Sequence, residues 1–169
     1  MNRFHQISLA VVTLIAVAAA PAYARTTTFK AHLTGSESVP TRATQAQGQA
    51  TLQWNPDQST FEYKVTVSNI ENVVAVQLQH APSGQTGPVV AVMYGPVAPG
   101  GGKMTGILTT GALSSASLVG DLAGQPLSAL VSEIQAGKIY INVLTDDGQP
   151  GSDERPGDFT SGEIRGQIN

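Results

Sequence analysis

The densest set of side chains able to do chemistry lies in the run DDGQPGSDERPGD at 146–158. Asp146, Asp147, Asp153 and Asp158 stand there among glycines and prolines. Carboxylates on a flexible loop suit a hard cation, and calcium gathers about six to eight oxygens. The spacing is not that of an EF-hand, which places acids at alternate positions and closes on a glutamate. Arg155 inside the run would also neutralise part of the charge. The plainer reading is a solvated hairpin loop whose charges keep a sheet end soluble. Calcium is the cation these four residues would take.

The remaining reactive side chains are sparse. The chain has no cysteine, which removes thiolate catalysis, disulfide frameworks and cysteine-based zinc sites. Beyond the first residues the histidines are His32 and His80. His80 reads as a solvent-exposed residue at a strand end, and His32 as an edge or surface residue, rather than as ligands. No G-x-S-x-G elbow and no H-E-x-x-H motif occurs, so hydrolytic chemistry has no foothold. Glu62 and Glu163 alternate outward on predicted strands, where carboxylates are more often cross-strand partners than acid–base pairs. Arg165 is expected to pair with a neighbouring strand in the same way. Trp54, Phe61, Tyr63 and Tyr140 read as core or sheet-face residues, with a sugar-binding platform as the sharper alternative. No enzyme activity and no cofactor is expected.

The elements that position these residues are mostly strands. FEYKVTVS (61–68) alternates apolar Phe61, Tyr63, Val65 and Val67 with polar residues, the pattern of a half-buried antiparallel strand. Further strands are predicted at 26–34, 48–54, 72–79, 88–94, 104–109 and 138–145, with a weaker one at 117–122. The last stretch, SGEIRGQIN (161–169), sets Gly162, Ile164, Gly166 and Ile168 against Glu163, Arg165 and Gln167, which reads as a terminal strand with one wet face. Leu127, Leu130, Val131 and Ile134 follow a helical period, with Pro126 ahead and Gly137 behind, and predict one short helix. About eight short strands and one helix make an all-β antiparallel sandwich or barrel.

The two ends of the chain differ in kind. Residues 1–24 carry Arg3, then an almost unbroken apolar stretch, then Ala22-Tyr23-Ala24, the form of a secretory leader cleaved after Ala24. Residues 25–169 then form one domain. The whole chain has 9 basic and 12 acidic residues. No basic cluster interleaves with aromatics, so nucleic acid and anionic lipid are poor partners. No later stretch is apolar enough to span a membrane, and the cleaved chain is expected in the periplasm or secreted.

Several local runs, taken in order, resemble the CHRD domain family, first described in chordin and also present as single exported bacterial domains. They include FKAHLTG (29–35), GQA (48–50), FEYKV (61–65), GPVV (87–90), GIL (106–108), IYINVLT (139–145) and GEIRGQI (162–168), the last matching best through Gly162, Glu163, Ile164, Arg165 and Gly166. The resemblance spans 29–168 and implies an immunoglobulin-like β-sandwich or barrel, outside the cytoplasm and without catalysis. It also implies three imidazoles at positions that here hold Gln77, Gln79 and Leu144. Three such imidazoles from two strands would make a metal site; glutamine is a poor zinc or copper ligand and leucine none. The expectation is therefore a binding module for an undefined extracytoplasmic protein or envelope component. A metal-handling protein and a self-associating matrix component are the rivals.

Overall fold

The computed structural model describes residues 25–151 and 154–169. The leader assigned to 1–24, and Asp153, lie outside the described residues. Eight strands form in chain order: β1 (Thr27–Thr34), β2 (Gln47–Asn55), β3 (Thr60–Glu71), β4 (Val73–His80), β5 (Val89–Tyr94), β6 (Lys103–Leu113), β7 (Ile139–Thr145) and β8 (Ile164–Gln167). One helix, α1 (Leu127–Gln135), precedes β7. All pairings are antiparallel, in a single sheet of order β5-β4-β7-β8-β1-β2-β3-β6. The sheet curls until β5 and β6 nearly meet: the Thr109 hydroxyl on β6 donates to the Met93 carbonyl on β5 at 3.4 Å, and the Tyr63 hydroxyl of β3 reaches the same carbonyl at 2.7 Å. The all-β expectation holds, in the form of one barrel-like sheet.

Alternation explains why β3 pairs where it does. Phe61, Val65 and Val67 are buried while Glu62 and Lys64 are exposed, so a one-residue slip would turn the apolar set into water. Its partner across the ladder presents Leu52 and Ala50 to the same interior. Leu33, Leu78, Ile141 and Ile164 meet them in one core, and α1 adds Leu127, Leu130 and Ile134. The helical spacing predicted for 127–134 thus marks the buried stripe of α1.

The strand expected at 117–122 is not formed; two single 3₁₀ turns occupy Ser115–Ser117 and Gly120–Leu122. The Ser117 hydroxyl accepts the Ser114 backbone N–H at 3.1 Å, and Gly120 takes φ of 57°. Such local hydroxyl bonds compete with ladder bonds, and the left-handed residue turns the chain.

The terminal strand differs more from expectation. Glu163 is 0% and Arg165 3% exposed, so β8 and its approach have no wet face. β8 is an interior strand between β7 and β1, and loops lie over its outer side. The 35–46 loop bonds to Glu163 through Ser38 and Thr44, and the 81–87 loop bonds to Arg165 through Pro82 and Gln85. No described helix is long and apolar enough to cross a membrane.

Candidate functional site: an amide-lined cleft on the outer sheet face

The registers Gln77↔Asn142 and Gln79↔Tyr140 on β4 and β7, and Asn142↔Arg165 on β7 and β8, put these side chains on one face. Leu144, opposite Ala75, shares that face. It is the side turned away from Leu78, Ile141 and Ile164. A cleft of about 420 Å³ opens over it, walled by Gln79, Tyr140, Asn142, Leu144 and Arg165, with Ser161 and the 86–87 backbone at its rim. The three positions implied by the resemblance therefore do share one face of two adjacent strands.

What they carry is a hydrogen-bonded row. The Gln79 amide donates to the Gln77 carbonyl oxygen at 2.9 Å. The Gln79 carbonyl oxygen accepts from the Tyr140 hydroxyl, which in turn accepts the Gly87 N–H at 3.2 Å. Asn142 donates to the Ser161 carbonyl at 2.9 Å. Gly162 makes that approach possible: its φ is 126°, and a Cβ there would sit on the Asn142 amide. Two amides and a leucine do not fit a zinc or copper ion, which wants imidazole or thiolate.

Arg165 lies beneath. Its guanidinium stacks 3.5 Å from the Tyr140 ring centroid and donates to the Gln85 carbonyl at 2.6 Å and the Pro82 carbonyl at 3.2 Å. Burial pushes its pKa down, opposed by Tyr140 and by the charge of Glu37. The cross-strand ion pair expected for it is absent among the described residues. Glu163 is likewise no surface carboxylate: its oxygens accept from Thr44 at 2.5 Å, Thr145 at 2.9 Å and the Gly157 N–H at 2.9 Å. It ties the 35–46 loop, β7 and the 154–160 segment into one body. The alternation identified the side these residues face; the covering loops, remote in sequence, gave no signal.

Two other clusters complete the inventory. Asp146, Asp147 and Asp158 place carboxylate oxygens within 4.8 Å of one another. Asp158 is 2% exposed, against the expectation of a wholly solvated loop. Much of the cluster's capacity is engaged: Asp146 accepts the Gly148 N–H at 2.8 Å, and Asp147 accepts the Gln149 N–H at 2.9 Å and Arg155 at 2.7 Å. Those Gln149 and Arg155 bonds hold the Asp147 carboxyl below the usual range. His80 is not the isolated exposed residue expected. Its Nε2 lies 3.1 Å from Glu133 and its Nδ1 3.5 Å from Asp121, and Lys138 stands 3.4 Å from the same Glu133. α1 and the Gly120–Leu122 turn fold over the end of β4 and bring carboxylates that sequence distance concealed. His32 is exposed on β1, as expected of a surface residue, though on a face of the sheet and not its edge.

No curated protein and no solved structure matches this chain. The family model that matches is that of the CHRD domain, over residues 29–152. The match takes in β1 to β7 and stops short of β8, whose wording resembles the family best. Covering most of the chain, it makes this protein a member of the CHRD domain family.

Proposed function

We propose that this chain is a non-catalytic binding module of the CHRD type, acting in the periplasm or outside the cell after cleavage of a leader at Ala24. The observation that carries the reading is the row of amides at Gln77 and Gln79, bonded to Tyr140 on the outer face of β4 and β7. It occupies the place where relatives are expected to carry imidazoles. Amides and hydroxyls recognise ligands by donating and accepting hydrogen bonds. The partner is an extracytoplasmic protein or envelope component.

The metal content of chain 25–169, purified and then incubated with copper, zinc or calcium, tests this against the metalloprotein alternative. The expected result is no stoichiometric copper or zinc after dialysis. The triple variant Gln77→His, Gln79→His, Leu144→His serves as the positive control for geometry. One tightly held transition metal per native chain would overturn the proposal.

A second reading, a self-associating envelope component, is favoured by β6. This sheet-end strand is exposed over most of its length, and Ile107 is 59% exposed. Long exposed edges are templates for strand pairing. Sedimentation across a hundredfold concentration range separates the two readings: the binding-module reading expects one monomeric species.

A further inference from the structure

The cleft over β4, β7 and β8 has an electrostatic property that its hydrogen bonds do not account for. Arg165, 3% exposed, is a buried cation lining it, and among the described residues no carboxylate is within ion-pair distance of it, the exposed Glu37 acting on it through its charge alone. Its bonds run only to neutral oxygens, of Pro82, Gln85 and Gln167, and its charge rests on the Tyr140 ring. Buried charges in folded proteins are normally paired. The one buried carboxylate near it in sequence, Glu163, is turned to Thr44, Thr145 and Gly157 instead.

The walls are neutral and hydroxyl-matched. Gln79, Asn142 and Ser161 offer groups that both donate and accept, and no carboxylate is among the lining residues. A sugar hydroxyl likewise donates and accepts, and a guanidinium matches the planar geometry of a carboxylate. The volume of about 420 Å³ is that of a small-molecule site, typically about 300–1,000 Å³.

We propose that the cleft binds an acidic sugar, its hydroxyls on the Gln79–Asn142 amides and its carboxylate drawn by the positive field of Arg165. The proposal rests on the binding-module reading and names the ligand class for that site. Glucuronate, glucose and sulfate, titrated separately into ¹⁵N-labelled chain 25–169 at low salt, test it. Saturable shifts of the Gln79 and Asn142 side-chain amides by glucuronate, at least tenfold tighter than by glucose or sulfate, are expected. Glucose or sulfate matching glucuronate, or glucuronate leaving these resonances unmoved, overturns the acidic-sugar assignment.

Gln79→Glu keeps the acceptor for Tyr140 and sets a negative charge in the cleft. It should weaken glucuronate at least tenfold, while Arg165→Lys should weaken it less. Should Arg165→Lys fail to fold, Gln79→Glu decides alone, and unchanged affinity in that variant overturns the proposal. Envelope extract separates the two levels. If it shifts the cleft amides while glucuronate does not, the ligand class falls and the binding module stands. A retained transition metal would bring down the module itself.

Discussion

At the scale of single residues, Glu163 shows how a surface-looking motif becomes internal scaffolding. The run GEIRGQI was legible as a strand, and the strand is there, but alternation reports direction and not cover. Three donors converge on the Glu163 carboxylate from three separate segments. Glu163→Gln presents an amide N–H where an acceptor is needed, and is expected to lower unfolding free energy by at least about 2 kcal/mol in urea titrations. Thr44→Val should cost less, because the other two donors keep their partner. Glu133 offers a pH-dependent case. Burial works to raise its pKa, but hydrogen bonds from His80 and Lys138, and their charges, outweigh it and leave the pKa lowered. A carboxyl lowered in the folded state contributes stability above its unfolded pKa and loses it as pH falls through the folded one. The stability difference between the native chain and Glu133→Gln should therefore be present near about pH 7 and vanish towards about pH 3. A difference that persists in acid would assign it to packing.

At the scale of elements, the clear predictions were those where one face meets the core and the other meets water. β3 and α1 obey that condition, so periods of two and 3.6 revealed them. Alternation marks β7 as a strand too, but not its cover: Ile139 to Val143 are all buried, because loops lie over the outer side of the sheet. Nor could periodicity show that His80 would meet Asp121 and Glu133, since those contacts come from how α1 is docked. The docking itself can be tested. Ile134 is 1% exposed, so Ile134→Ala should cost about 2–5 kcal/mol by the lost transfer and the cavity left behind. Val131 is only partly buried against the same core, and Val131→Ala should cost clearly less. Comparable losses from both would mean that α1 packs on a different face.

For the whole molecule, the sheet order sets β8 between β7 and β1. On one side stand β5, β4 and β7, and on the other β1, β2, β3 and β6. Gly166 lets β8 come close to β1: a Cβ there would run into the His32 backbone carbonyl, which cannot swing aside as a side chain can. Gly166→Ala is expected to lower the melting temperature by several degrees, of the size about 1–2 kcal/mol produces in a domain this large. Gly101→Ala, with nothing within 4 Å, should leave it unchanged. Equal effects would deny the tight seam. Family membership was readable from local wording, and the cleft was not, because it forms only when 35–46, 81–87 and 159–162 gather over three strands.

The position of β8 also governs when folding can finish. β8 follows the other seven strands in the chain, so a nascent polypeptide has nothing to bridge the two halves until residues 164–167 have been made. Pulse-labelled chains truncated before residue 162 should remain protease-sensitive, and full-length chains should become resistant.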